Sequence, residues 1–237
     1  SINVTKAIQV SCNCFFYEVG YSLACKGTGI YNEAKGLETL RKYGEMVGLT
    51  ERSGVEVEEY APLFSDMNPV ASAIGQGTHS YTGVQLARYV NTIAGDGLNR
   101  ELTLIKDIVD YQGTSLGTPE KEAVQMDVSP NSIATAKKGM ENAGNSYSLL
   151  KATGYKVAAK SGTAQENANL PDHALCIGFA PSENPEISFS CNIQYGYKSN
   201  YAVKMSRDIL DYYFGQITLE NILKGDANGP FNVEEEN

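Results

Sequence analysis

Apolar residues recur every three or four positions in several segments, a spacing that predicts amphipathic helices. Helices are predicted at residues 36–49, 82–97, 129–144 and 200–215. Thr82 followed by Gln85 has the spacing of a capping box, and Ser129 followed by Pro130 is a typical helix start. The predicted buried stripe of the last helix consists of Ala202, Met205, Ile209 and Tyr213.

Between the last two helices, the pattern predicts three strands, at residues 154–165, 173–181 and 186–196. The short segment SENP joins the second and third strands, which therefore form a predicted hairpin. If the hairpin is symmetric about this turn, a large residue faces a small one across the strands, which favours packing. The predicted pairs are Cys176–Cys191, Gly178–Phe189 and Phe179–Ser188.

This order of elements predicts an α+β fold, with helices covering an antiparallel sheet. Residues 1–128 form a mostly helical part, residues 129–215 a helix, three strands and a final helix, and residues 216–237 a tail. We expect one domain over residues 1–237, because this length suffices for a single core.

Composition and charge narrow the possible partners. The chain has 237 residues and a formal net charge of −9, which argues against nucleic acid because phosphate binding needs a basic face. No apolar run approaches the roughly 20 residues needed to span a bilayer. The first residues are amphipathic and carry no leader pattern, which is more typical of the interior of a domain than of a natural beginning.

The five cysteines, at positions 12, 14, 25, 176 and 191, lack the C-x-x-C spacing of zinc sites. The two histidines are distant in sequence from the first two cysteines, so we expect buried thiols and no metal. A Cys176–Cys191 disulfide is an open alternative, but free thiols are favoured, since a bridge between adjacent strands is strained.

Four segments, in this order, resemble the transpeptidase domain of class B penicillin-binding proteins. They are VSCNCFFYEVG, IGQGTHSYTGVQLARYVNTIAGDG, GYKVAAKSGTAQ and HALCIGFAPSENPEISFS. These proteins are serine D,D-transpeptidases that cross-link peptidoglycan and are acylated by β-lactams. The resemblance runs from about residue 4 to residue 214 and implies the penicillin-binding-protein/β-lactamase-like fold. Gly75 and Gly77 match a segment of this family and are interpreted as turn residues beneath the site.

The family has three active-site motifs, S-x-x-K, S-x-N and K-[TS]-G. Lys160-Ser161-Gly162 matches the third motif. The resemblance implies that Lys160, Ser161 and Thr163 bind the carboxylate of a peptide ending in D-Ala-D-Ala. The Thr163 N–H would form half of an oxyanion hole, and Gly162 would let the strand approach the substrate. The alternative for Lys160 alone is a solvated lysine at a strand end.

Ser11-Cys12-Asn13 matches the S-x-N motif. The resemblance implies that Ser11 relays a proton to the leaving amine and that Asn13 binds the substrate amide. Without the resemblance, Ser11 and Asn13 would more often be helix caps.

The S-x-x-K motif of the family should stand several tens of residues before S-x-N, but this chain begins ten residues before Ser11. We therefore expect the nucleophilic serine and its lysine to lie outside these residues, and the fold to be incomplete at its N-terminal side. A literal S-x-x-K at Ser148–Lys151 comes in the wrong order and is interpreted as a coincidence, and a second SCN at residues 190–192 as part of a strand. Residues 187–195 would be an exposed sheet edge, which an upstream segment or a second chain would cover.

The predicted function is therefore that of a serine D,D-transpeptidase domain, inactive as this chain alone, that binds D-Ala-D-Ala stem peptides and β-lactams outside the bacterial membrane. It would contact the membrane only through an anchor that this chain does not contain. No metal or organic cofactor is implied. Two alternatives remain: a non-catalytic binding or scaffold module of the same fold, and a β-lactamase or β-lactam sensor domain.

Overall fold

The computed structural model describes residues 2–225, and it contains every predicted helix and strand, in the predicted order, together with further short elements. The helices are α1 (Val4–Gln9), α2 (Asn13–Cys25), α3 (Glu33–Met46), α4 (Pro69–Ser72), α5 (Gly83–Ala94), α6 (Pro130–Gly144), α7 (Ser148–Lys151), α8 (Ser199–Tyr213) and α9 (Leu219–Lys224). The strands are β1 (Leu98–Arg100), β2 (Ile108–Val109), β3 (Ser115–Gly117), β4 (Ala123–Gln125), β5 (Ala158–Ala164), β6 (His173–Ala180) and β7 (Ile187–Ile193).

The helix starts that the sequence marks are present. Both hydrogen bonds of the capping box between Thr82 and Gln85 are formed at the start of α5. Ser129 caps α6, where its hydroxyl accepts from the Ser132 N–H at 3.2 Å, and Pro130 is the first helical residue.

The three strands that follow α6 form one antiparallel sheet in the order β5-β6-β7. The predicted hairpin register is confirmed at all three pairs: Cys176–Cys191, Gly178–Phe189 and Phe179–Ser188. Gly178 fits this register because a Cβ there would lie 2.6 Å from the ring of Phe189. Within the described residues, β7 has no partner on its outer side.

The two faces of this sheet pack against different helices. One core cluster contains Ala159, Cys176 and Cys191 of the sheet together with Leu210 of α8. The second cluster contains the neighbouring Ala158 and Phe179, Val90 of α5 and Met140 of α6. Because successive residues of a strand face opposite sides, β5 contributes to both clusters.

The predicted buried stripe of α8 is wrong for three of its four residues. Only Ala202 is buried, whereas Met205, Ile209 and Tyr213 are 48%, 38% and 49% exposed. The buried face instead includes Ser206 and Asp211, whose polar atoms have partners. Ser206 donates to the Ala202 carbonyl, and Asp211 accepts from the Tyr155 hydroxyl at 2.8 Å.

The part of the chain before α6 contains more strand than the sequence pattern predicted. Strands β1 and β4 pair with each other, as do β2 and β3, and each has only two or three residues. Helix α9 begins inside the predicted tail, and the acidic segment at residues 232–237 lies outside the described residues.

All five cysteines are free thiols, but the expectation of buried thiols is correct only for Cys176 and Cys191 and wrong for Cys12, Cys14 and Cys25. Burial raises the pKa of Cys176 to about 12, so this thiol is protonated at neutral pH. Over residues 2–225, no group of three or more His, Cys, Asp or Glu side chains is placed to hold a metal ion. No helix in that range is both long and apolar enough to cross a bilayer.

Candidate active site

A cavity of about 710 Å³ lies between the α1–α2 corner, helices α5 and α6, and strand β5. All six candidate residues line it: Ser11, Asn13, Lys160, Ser161, Gly162 and Thr163. Its other walls are mostly apolar and include Ile8, Phe16, Ile74, Tyr89, Ile93, Met140 and Ile177. The cavity therefore combines a polar rim, built by the two sequence motifs, with an apolar floor.

Ser11 and Asn13 lie at the sharp corner between α1 and α2. Ser11 has φ of 50°, in the left-handed region that non-glycine residues rarely adopt, and it lies in the turn that joins the two helices. The capping alternative is wrong, because Cys12 is the N-cap of α2 and makes no side-chain capping bond. Asn13 is the first helical residue, and both side chains are exposed at the cavity.

Lys160 extends from β5 into the same cavity, so it is not a solvated lysine at a strand end. Its ammonium donates to the carbonyl of Ser161. No carboxylate of the described residues forms an ion pair with it. Burial lowers the pKa of Lys160, because desolvation disfavours the charged form.

The outer edge of β5 carries the next two residues of the motif. The Ser161 N–H donates to the Tyr147 hydroxyl at 3.1 Å, so it points away from β6. Alternate residues of a strand direct their N–H groups to the same side, so the Thr163 N–H also points outward. Gly162 lies between them, and a Cβ there would meet only Leu175, at 3.5 Å.

Residues 75–77 form a turn beside the cavity, as the sequence indicated. Gly75 and Gly77 have φ of 84° and 100°, and a Cβ at Gly77 would lie 2.5 Å from the Ser65 hydroxyl. Between them, Gln76 lines the cavity. This turn adds a side-chain amide to the polar rim.

The two other motif-like segments lie elsewhere. Ser148–Lys151 is the single-turn helix α7, and neither Ser148 nor Lys151 lines the cavity. The SCN at residues 190–192 is inside β7, as predicted. Among the described residues that line the cavity there is no aspartate or glutamate.

Sequence reasoning missed three residues at or next to the site: Gln76, Ser199 and Tyr147. Gln76 could have been found, because it stands between two glycines that were recognised as turn residues. Ser199, the first residue of α8, lines the cavity. Tyr147 contacts Ser161 from a segment that reads as a polar connection, and no sequence pattern indicates this contact.

Comparison with known proteins gives one family. The sequence model described as "Penicillin binding protein transpeptidase domain" matches residues 1–211. The chain is 25% identical over 248 residues to penicillin-binding protein 2A of Bacillus subtilis, which covers 90% of this chain and 34% of that protein. It is 27% identical over 244 residues to the peptidoglycan D,D-transpeptidase MrdA of Salmonella typhimurium, covering 90% of this chain and 38% of that protein.

A solved structure shares the fold. Penicillin-binding protein A of Mycobacterium tuberculosis, in its imipenem acyl-enzyme complex, superimposes with a TM-score of 0.76 at 21% identity. The match covers 90% of this chain and 47% of that structure. The mixed helix and antiparallel-sheet architecture described above is thus the penicillin-binding-protein/β-lactamase-like fold. The chain spans little more than a third of the length of the two relatives above.

Proposed function

Since this chain belongs to the family of penicillin-binding protein transpeptidase domains, we propose that it is the substrate-binding part of a serine D,D-transpeptidase that cross-links peptidoglycan. The observation that carries the proposal is the shared cavity. Ser11 and Asn13 come from a helix corner, Lys160 and Thr163 from a strand about 150 residues later, and they line the same space.

The polar rim suits a peptide that ends in a carboxylate. Lys160 contributes a positive charge that no carboxylate within residues 2–225 pairs with, and Ser161 and Thr163 contribute hydroxyl groups. A charge-assisted hydrogen bond to a carboxylate is about twice as strong as a neutral one. A D-Ala-D-Ala stem peptide or the carboxylate of a β-lactam therefore fits this rim.

The outward N–H of Thr163 would stabilise the negative charge that develops on a carbonyl oxygen during acyl transfer. Loss of one such donor typically costs about 3–4 kcal/mol of transition-state stabilisation. Asn13 would hold the amide backbone of the same ligand. Ser11 would pass the proton of the attacking serine to the leaving amine nitrogen.

The attacking serine would come from a segment outside this chain, and the apolar floor supports this assignment. Ile8, Phe16, Ile74, Met140 and Ile177 leave apolar surface open to a cavity larger than the voids of a packed core. We assign this floor to the helix that carries the S-x-x-K serine. The same segment, or a second chain, would cover the outer edge of β7.

Covalent labelling with a fluorescent penicillin tests this function. We expect no labelled band from this chain alone, and a labelled band from the complete protein, meaning this chain together with the serine-bearing segment. Ser148→Ala should leave labelling of the complete protein unchanged. A labelled band from the chain alone would contradict the assignment of the nucleophile.

The lifetime of the label separates the transpeptidase from a β-lactamase. Hydrolysis of the acyl-enzyme needs a base that activates water, and no carboxylate of the described residues lines the cavity. We therefore expect a long-lived adduct, and rapid turnover would favour a β-lactamase. A complete protein that binds stem peptide but is never labelled would be a non-catalytic binding module.

If the protein is a transpeptidase, it acts on the outer side of the bacterial membrane, where peptidoglycan is cross-linked.

A further inference from the structure

The hydroxyl of Tyr147 makes two hydrogen bonds to one residue of the K-S-G strand. It lies 2.9 Å from the Ser161 Oγ and accepts from the Ser161 N–H at 3.1 Å. Tyr147 does not line the cavity, because its ring packs against the core cluster on the α8 face of the sheet. Any influence of Tyr147 on a ligand therefore passes through Ser161.

Either hydroxyl of this pair could donate to the other, and proton counting favours Tyr147 as the donor. Each hydroxyl has a single proton to donate, and the Tyr147 oxygen already accepts the backbone N–H of Ser161. If Tyr147 donates its own proton to the Ser161 Oγ, the Ser161 proton stays available for a ligand. Successive hydrogen bonds of this kind polarise one another, which makes the last hydroxyl a better donor.

The surroundings of Tyr147 keep its hydroxyl protonated, so that it is able to donate. Burial raises its pKa, and its hydrogen bonds with Ser161 only partly oppose this effect. Tyr147 therefore retains its proton throughout the physiological range. The Ser161 carbonyl accepts from the Lys160 ammonium, so the backbone and side chain of Ser161 are held from both sides.

We propose that Tyr147 is a positioning residue that turns the hydroxyl proton of Ser161 toward the carboxylate of the bound ligand. Tyr147 also occupies the outward N–H of Ser161. Pairing between the strand edge and a peptide ligand consequently starts at the N–H of Thr163. The inference rests on the proposed function, since that function supplies the carboxylate.

The test compares two ligands on the complete protein and its Tyr147→Phe variant. Acylation rates are measured with a penicillin that has its free carboxylate and with the methyl ester of the same penicillin. The variant should react about tenfold more slowly than the wild-type protein with the acid, because it loses the equivalent of one hydrogen bond to a charged group. With the ester, it should react at nearly the wild-type rate. In a Ser161→Ala background, Tyr147→Phe should cause no further loss.

Tyr155→Phe is the matched control, because the Tyr155 hydroxyl donates to Asp211 at 2.8 Å and does not line the cavity. This variant should leave the ratio of acid to ester rates unchanged even if the protein becomes less stable. An equal loss for acid and ester in Tyr147→Phe would show a merely structural role and overturn the inference. An unchanged acid rate would overturn it as well.

A second measurement separates this inference from the proposed function. If the wild-type protein reacts with neither penicillin, the proposed transpeptidase function fails. Binding of acetyl-D-alanyl-D-alanine and of its C-terminal amide, followed by NMR, then decides the inference. A preference for the acid that disappears in Tyr147→Phe supports it, and the absence of any such preference contradicts it.

Discussion

The two faces of the β5-β6-β7 sheet are covered to different extents. On the α8 face, Cys176, Cys191 and Leu210 belong to a closed core cluster, and each is at most 4% exposed. On the opposite face, α5 and α6 pack against Phe179, but the cavity remains open beside Lys160. The first face supplies the packing that holds the sheet, and the second leaves the space and charge that the proposed ligand would use. Substitutions on the two faces should therefore separate stability from activity.

The largest expected effect on stability is in the closed core. Leu210→Ala removes a fully buried side chain and should lower the free energy of unfolding by about 2–5 kcal/mol, measured by denaturant titration. Ile209→Ala, next to it on the exposed side of α8, should cost less than about 1 kcal/mol. Equal losses from the two variants would contradict the assignment of the buried face of α8.

Alanine substitutions at two glycines of the sheet should show which of them lies beside the ligand and which is needed for core packing. A Cβ at Gly162 would meet only Leu175, so Gly162→Ala should fold with unchanged stability. It would nevertheless occupy space in the cavity, and we expect the acylation rate of the complete protein to fall about tenfold, or 1.4 kcal/mol.

Gly178→Ala is the matched comparison, because its Cβ would lie 2.4 Å from the Ala158 carbonyl oxygen. We expect this variant to lose about 1–3 kcal/mol of stability through overpacking, measured by the same titration. If instead Gly162→Ala lost stability and kept its acylation rate, the space beside Gly162 would not be part of the ligand site.

The smallest expected effect is the pH dependence of stability that arises from His79, which follows the turn at residues 75–77. The His79 Nδ1 accepts from the Ser65 N–H at 3.0 Å, which requires a neutral ring, and burial lowers the His79 pKa below its usual 6.5. The unfolded chain then binds a proton more readily than the folded one. Stability is therefore fully present above pH 6.5 and falls as the pH drops through 6.5 toward the lower folded pKa.

The variant His79→Gln, which keeps an acceptor but cannot titrate, should remove this contribution. Between pH 7 and 5, the wild-type free energy of unfolding should fall more steeply than that of the variant, by at most about 1.4 kcal/mol per pH unit, because a single proton is involved. Parallel curves for the two proteins would contradict a neutral, buried His79.

The sequence predicted those parts of the fold in which local rules and packing agree. The hairpin register follows from large residues facing small ones, and the starts of α5 and α6 follow from capping residues. The predicted buried stripe of α8 was wrong because Ser206 and Asp211 are buried and form hydrogen bonds. A hydrophobicity pattern does not reveal buried polar residues of this kind. The strands β1–β4 are too short to produce a recognisable alternation.

For the site, the two motifs identified six residues that line the cavity, because each motif occupies a single helix corner or strand. The contact between Tyr147 and Ser161 depends on how α6 is placed against β5 and α7 against α8. Contacts of this type arise from tertiary packing, so they require coordinates.

The left-handed backbone of Ser11 has a consequence for laboratory evolution. Glycine and asparagine adopt this conformation more easily than serine, by roughly 1 kcal/mol for glycine. A screen that rewards heat resistance alone would thus enrich replacements at this corner, and each replacement would delete the hydroxyl to which we assign the proton transfer. If the proposed function holds, the more stable variants selected in this way would be poorer catalysts in the complete protein.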